Sequence, residues 1–298
     1  MIFKGSGVAL VTPFKKDNVY EVDKEMLKEL IQYHINNKTD SIIVCGTTGE
    51  SATLTEDEKR EIFKLTVEQT NKKIPVIAGT GSNNTKHAVE LSVMAEKMGV
   101  DALLIVTPYY NKCTQEGLIQ HYNEIAKNVK IPIILYNVPS RTGVNINPET
   151  VLELAKIPNI VGIKEASGNL EQVKSIIELT KVLNKEFAVY SGNDDQIYDI
   201  LDLGGDGVIS VLANVRPEDT HKICEEYFNG NKEYSKKLQY IYHPLIKALF
   251  NEVNPIPVKA AMEIEGYNVG IPRLPLTPIT QGNYNILKKE LKNNLEKK

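Results

Sequence analysis

The chain has 298 residues, 42% of them hydrophobic, with a formal net charge of -3 and a pI near 6.0. That is enough apolar material for one large core or a core and a half, and the mildly acidic balance offers no basic field for nucleic acid. The longest apolar runs are strand-sized, so no membrane-spanning segment is expected.

In chain order, one unit recurs: a short apolar strand followed by an amphipathic helix. Residues Gly7 to Phe14 read as the first strand and Lys24 to Asn36 as the first helix. Ser41 to Gly46 and Glu56 to Thr70 follow, then Ile74 to Gly79 and Thr85 to Met98. Ala102 to Val106 leads to a helix over Gln115 to Asn128, and Pro132 to Tyr136 to one opened by Pro148 and ending at Ala155. The sixth strand, Ile160 to Ser167, precedes Leu170 to Leu183. Phe187 to Ser191 and Asp195 to Leu203 come next, then Gly207 to Leu212 and Pro217 to Phe228. Eight near-continuous apolar strands alternating with helices imply an α/β fold with a covered parallel sheet. The count of eight predicts a closed (β/α)8 TIM barrel over residues 1–228. A doubly wound sheet is disfavoured because no GxGxxG follows the first strand. Residues 229–298 read as a C-terminal helical appendix packed on the barrel: Lys232 to Phe250, Pro257 to Glu265 and Thr280 to Lys297.

Cys45, Cys113 and Cys224 form no CxxC pair and suit a reducing compartment. Met1 to Ser6 lacks the apolar core of a secretory signal, so a cytoplasmic location is expected. The histidines include no HExxH and no i,i+4 pair, so a protein-held metal is not expected.

The unusual residue in this pattern is Lys164, set inside the sixth apolar run. Alternation puts Gly162, Lys164 and Ala166 on one face, and a buried ammonium is costly unless paired or discharged. Barrel chemistry sits at the carboxyl ends of the strands. There the chain places Gly46-Thr47-Thr48-Gly49-Glu50-Ser51, Thr107-Pro108-Tyr109-Tyr110-Asn111 and the run from Tyr136 to Gly143, which contains Arg141. Thr55, three residues before Glu58, forms a capping box beyond the threonine pair and leaves Thr47 and Thr48 without a structural task. Only four arginines stand against 31 lysines, so Arg141 at this rim points to a bidentate carboxylate or phosphate contact. Tyr109 and Tyr110 read equally well as packing aromatics. Together Lys164, Tyr136, Thr47 and Thr48 suggest amine catalysis. A free lysine, with pKa about 10.4, is neutral in roughly one molecule in a few thousand at neutral pH, and apolar burial is the general device that frees its lone pair. Hydroxyls would relay the protons, and no dissociable cofactor is expected.

These motifs, with Gly162-Ile163-Lys164-Glu165-Ala166, closely resemble those of the pyruvate-dependent class I aldolases, the family of N-acetylneuraminate lyase and dihydrodipicolinate synthase. The likeness runs nearly end to end, through Asn254 to Lys259 and Arg273 to Pro278. It implies a TIM barrel in which Lys164 forms an imine with pyruvate and Tyr136 moves protons with Thr47 and Tyr110. Tyr110 would be lent by a neighbouring subunit across a tight dimer, within an expected homotetramer. Thr48 and the backbone of Ile209 would hold the pyruvate carboxylate. Arg141 would hold the carboxylate of aspartate semialdehyde, which favours the synthase branch of the lysine pathway. The alternatives are a lyase for a 2-keto-3-deoxy sugar acid or N-acetylneuraminate, a phosphate-binding barrel isomerase, and a barrel kept only as a binding module. Many members are inhibited by lysine bound near Ser51, Ala52, Asn83 and Tyr109. Here Glu56 and Lys59 stand where sensitive relatives often carry histidines, and His87 where they carry glutamate. Weak or absent lysine inhibition is therefore expected.

Overall fold

The computed structural model describes residues 1–295. Eight parallel strands form a closed barrel in sequence order: β1 (Gly5–Ala9), β2 (Ser41–Val44), β3 (Val76–Gly79), β4 (Ala102–Val106), β5 (Ile133–Asn137), β6 (Ile160–Glu165), β7 (Ala188–Ser191) and β8 (Gly207–Ser210). The seam closes where β1 pairs with β8, Gly5 opposite Gly207 and Gly7 opposite Ile209. The intervening helices are α1 (Lys24–Asn36), α2 (Glu56–Thr70), α3 (Thr85–Lys97), α4 (Gln115–Asn128), α5 (Pro139–Thr142), α6 (Pro148–Ala155), α7 (Leu170–Thr180), α8 (Ile197–Leu203) and α9 (Pro217–Phe228).

Side chains divide by the two-residue period of a strand. Val8, Ile42, Leu103, Leu135, Ile163 and Val208 face outward into the layer shared with the helices. Ala9, Ile43, Ile77, Leu104, Tyr136, Tyr190 and Ile209 fill the barrel interior. Each fully buried Leu or Ile contributes about 1.5–3 kcal/mol, so the outer layer carries most of the stability and leaves the inner one room for chemistry. Helix starts are secured by side chains: Asp23, Asn84, Thr114 and Asn169 each accept a first-turn N–H. Thr55 and Glu58 form the expected capping box, with both reciprocal bonds present.

The first strand lies earlier than its apolar run, ending at Ala9. Beyond it the N–H of Val11 donates to Asn214 Oδ1 at 3.1 Å instead of continuing the ladder. The stretch after β5, read from sequence as loop, contains the one-turn helix α5, opened by Pro139 and closed by Gly143 at φ 70°. At the C-terminal end, α10 (Lys232–Leu249) packs on α9, and α12 (Gln281–Leu295) packs on α10 and α11 (Ile256–Ile264). The expected end of the last helix at Lys297 lies outside the described residues. Among the described residues, no helix is long and apolar enough to cross a membrane.

Candidate active site

The site grows from the register of β5 and β6. Lys164 pairs with Tyr136 on one side and Tyr190 on the other, and strand alternation turns it into the barrel interior. It is 6% exposed, with its Nζ 4.4 Å from the centre of the Tyr136 ring. Among the described residues no carboxylate lies within ion-pair distance of that nitrogen. Its own strand offers only Gly162 and Ala166 beside it, as the alternation predicts, while Tyr136 closes the space from β5. At the end of β7, Gly192 leaves room for the lysine stem: a Cβ there would stand 3.1 Å from Lys164 Cε and 2.6 Å from Ala166 Cβ.

The loop after β2 carries Thr47 and Thr48 and is held from several directions. Thr12 Oγ1 donates to the carbonyl of Gly49 at 2.7 Å. Glu50 adopts a left-handed conformation, φ 55°, which turns its carboxylate into the protein. There Oε1 accepts from Lys259 Nζ at 2.7 Å and Oε2 from the Arg273 N–H at 2.8 Å. The Lys259 and Arg273 head groups both lie over Phe14, at 4.0 and 4.1 Å from its ring centre. Arg273 also forks onto Glu58 at 2.6 and 3.0 Å. Burial presses the Lys259 ammonium down to about 8, against the opposing pull of Glu50. At Glu58 burial acts upward, but the Arg273 bonds outweigh it and hold the carboxyl below its ordinary range. The rim loop is thus clamped by residues more than 200 positions away in sequence.

Thr48 does have a structural partner, contrary to the reading from sequence: its Oγ1 accepts from Asn254 Nδ2 at 2.9 Å. The same Asn254 offers its backbone carbonyl to Arg141 at 3.3 Å. One residue of the C-terminal segment therefore bridges the β2 and β5 rims. At the end of β7, Asp194 accepts from the N–H groups of Val211 and Leu212 at 3.0 and 2.8 Å and fixes the backbone just past β8; burial pushes its carboxyl pKa upward. Asn254 opens one of the stretches that carry the family resemblance, but nothing in the sequence marked either Asn254 or Asp194 as a residue that braces the rim.

A cavity of about 630 Å³ opens at this end of the barrel, lined by Thr47, Tyr136, Arg141 and Asn254 and, to one side, by Ser51, Lys59 and His87. Its size is that of a small-molecule site. Lys164 is not among the lining residues but packs against Tyr136, which is. Thr48 and Ile209 are buried. Tyr110 is 90% exposed and does not line the cavity of its own chain. Its φ of 71° is rare for an aromatic residue and costs about 1 kcal/mol or more. Among the described residues, no cluster of three or more His, Cys, Asp or Glu side chains could hold a metal ion. The chemistry available is an amine, a phenol, hydroxyls and one guanidinium.

The dihydrodipicolinate synthetase family model matches residues 2–294. The 4-hydroxy-tetrahydrodipicolinate synthase of Caldicellulosiruptor saccharolyticus is 58% identical over 290 residues, covering 97% of this chain and 96% of that one. A Clostridium acetobutylicum protein of the same name is 54% identical over 291 residues, covering 98% and 97%. The crystal structure of dihydrodipicolinate synthase from Thermotoga maritima superposes with a TM-score of 0.96 at 46% identity, covering 99% of each chain.

Proposed function

The chain belongs to the dihydrodipicolinate synthetase family, and from that premise we propose that it condenses pyruvate with L-aspartate 4-semialdehyde to 4-hydroxy-tetrahydrodipicolinate, the first committed step toward diaminopimelate and lysine. The observation that carries this reading is Lys164, buried against Tyr136 at the carboxyl end of β6 with no carboxylate partner among the described residues. The Lys164 amine adds to C2 of pyruvate, and loss of one water leaves a protonated imine. That imine draws electrons from C3, which gives up a proton and becomes a nucleophilic enamine. The enamine carbon bonds to the aldehyde carbon of the semialdehyde, whose oxygen takes a proton and becomes the hydroxyl. The amine of the semialdehyde then adds to C2 and expels Lys164, closing the ring and freeing the enzyme.

Tyr136 is the proton carrier closest to these steps, in relay with Thr47, which lines the same cavity. Thr48 and the backbone of Ile209 hold the pyruvate carboxylate, and Arg141 that of the semialdehyde, since a fork of two N–H groups matches a carboxylate. Tyr110 completes the relay from a neighbouring subunit. Its exposure and its strained backbone fit a side chain presented outward, and a homotetramer built from tight dimers is the assembly this implies. The barrel, residues 1–228, carries the reacting groups. The helical region 229–298 supplies the clamp on its rim. The enzyme works in the cytoplasm, and lysine inhibits it weakly or not at all, because Lys59 lines the cavity beside Ser51, Ala52 and Tyr109. Borohydride reduction in the presence of pyruvate, followed by peptide mapping, is the direct test. An adduct confined to the Lys164 peptide is expected; no added mass, or mass on another lysine, overturns the proposal.

A further inference from the structure

Glu165 directly follows the reacting lysine, yet the chemistry at Lys164 makes no use of it. Strand alternation turns it away from the barrel interior, and it is 1% exposed. Among the described residues no Lys, Arg or His lies within ion-pair distance of its carboxylate. Neutral donors surround it instead. Oε1 accepts from the Ser167 N–H at 2.7 Å and Oε2 from Gln172 Nε2 at 3.0 Å, while Asn137 Nδ2 donates to both oxygens at 3.2 and 3.0 Å. A buried carboxylate met only by neutral groups is costly, and its donors show what it does there.

Ionised, this group can only accept. Each oxygen already faces an N–H, so an amide in its place would point its own NH2 at a donor whichever way it turned. The carboxylate therefore fixes the Asn137 side chain with its nitrogen toward Glu165 and its oxygen away. That oxygen accepts from the Ile146 N–H at 3.0 Å, and Nδ2 also donates to Asn145 Oδ1 at 2.8 Å. Asn145 is bonded in both directions to Gln172, at 2.8 and 3.1 Å. Asn137 thus ties together the two ends of the stretch 137–146, whose middle is α5 with Arg141. Arg141 is exposed and lines the cavity, and its guanidinium reaches the backbone carbonyl of Asn254, so the backbone of α5 sets where its fork points. We propose that Glu165 is a positioning residue for the second substrate: through Asn137 and Asn145 it holds this loop closed and keeps Arg141 where the carboxylate of an incoming aldehyde acid can meet it. Glu165, Asn137 and Asn145 do not line the cavity, so the effect is relayed by backbone. The inference rests on the role proposed above for Arg141 and adds the side chain that sets it.

The test compares the whole enzyme with its Glu165→Gln variant. The KM for aspartate semialdehyde should rise at least about tenfold, while the KM for pyruvate and the borohydride adduct at Lys164 stay within about twofold. A residue that only supports the fold would move both substrates together. In an Arg141→Ala background, Glu165→Gln should change the semialdehyde KM by less than about twofold, because both act through one guanidinium. Amide hydrogen exchange gives a readout independent of turnover: the Ile146 N–H should exchange at least about tenfold faster in Glu165→Gln. An adduct missing from the unmutated chain would sink the Schiff-base reading, and exchange at Ile146 would still decide this proposal. Should Glu165→Gln not fold, Asn145→Ala, at a half-buried position, breaks the same chain of bonds farther out. It should raise the semialdehyde KM about threefold and leave that for pyruvate unmoved. Equal rises for both substrates, additive effects in the double variant, unchanged exchange at Ile146, or an unchanged semialdehyde KM in Asn145→Ala each overturns the proposal.

Discussion

Lys164 and Lys259 are the same residue type, both nearly sealed from solvent, in two regions that treat them in opposite ways. Where α11 meets the β2 rim loop, Lys259 and Glu50 are each 1% exposed and 2.7 Å apart. Inside the barrel, Lys164 faces the Tyr136 ring and, among the described residues, has no carboxylate within ion-pair distance. A buried pair gains little over a packed apolar pair, but breaking it by removing one partner leaves a stranded charge. A buried amine without a partner gives the fold nothing and is free to react. The contrast assigns Lys259 to holding the rim and Lys164 to the chemistry performed within it.

Removing each nitrogen in turn separates these roles. Lys164→Ala should cut turnover of pyruvate and the semialdehyde by at least about a thousandfold and abolish the borohydride adduct, with unfolding free energy changed by only about 1 kcal/mol. Steady-state kinetics beside urea unfolding checks both halves. Lys259→Met should do the reverse, costing about 3–5 kcal/mol of stability because Glu50 is left buried and unmatched, while the adduct at Lys164 still forms wherever the chain is folded. Adding Glu50→Gln to Lys259→Met should recover part of the loss. Swapped results, a stable Lys259→Met with a destabilised Lys164→Ala, would break the comparison.

Half of this contrast is legible in the sequence and half is not. Lys164 stands out because a two-residue alternation places it inside an apolar run, a local signal. Lys259 is one of 31 lysines, and nothing within ten residues of it announces Glu50, more than 200 positions away. The same long reach hides Asn254, which takes up the Thr48 hydroxyl. Arg216 and Arg273 are both buried and paired, with Glu265 and Glu58, a use of the planar fork that was read from the sequence only at Arg141. Helix ends were readable where caps are local, as at Thr55. The first strand was placed too late because the apolar run outlasts the ladder: past Ala9 a side chain of the β8 rim, Asn214, takes over the backbone bonding.

The contrast sharpens if a third fate of a buried base, loss of its proton, can be measured in the same molecule. Among the described residues, His34 and His121 are buried with no charged partner, each with Nδ1 at 2.9 Å from a threonine hydroxyl and Nε2 without any partner. Protonation would bury a charge and leave an N–H unanswered. Burial alone therefore pushes His34 down to about 3 and His121 to about 4. An unfolded chain takes up these protons near pH 6.5, so below that value the unfolded state binds more protons and stability falls as pH falls. His221 works in the opposite sense. Its bond to Asp40 at 2.8 Å raises its pKa against the effect of burial, so its contribution is full below its unfolded value and is lost as pH rises through the folded one. Glu58, held low, matters only below the ordinary carboxylate range. From pH 7 to 5.5, below the range in which Lys259 titrates, urea unfolding at fixed protein concentration should lose about 1 kcal/mol for each of the two discharged histidines, less the gain from His221. His221→Asn should steepen the fall and His121→Gln should flatten it. A stability that holds level or rises between pH 7 and 5.5 in the His221→Asn chain would mean that burial without a partner does not discharge a base in this fold, and the distinction drawn between the two lysines would lose its physical ground.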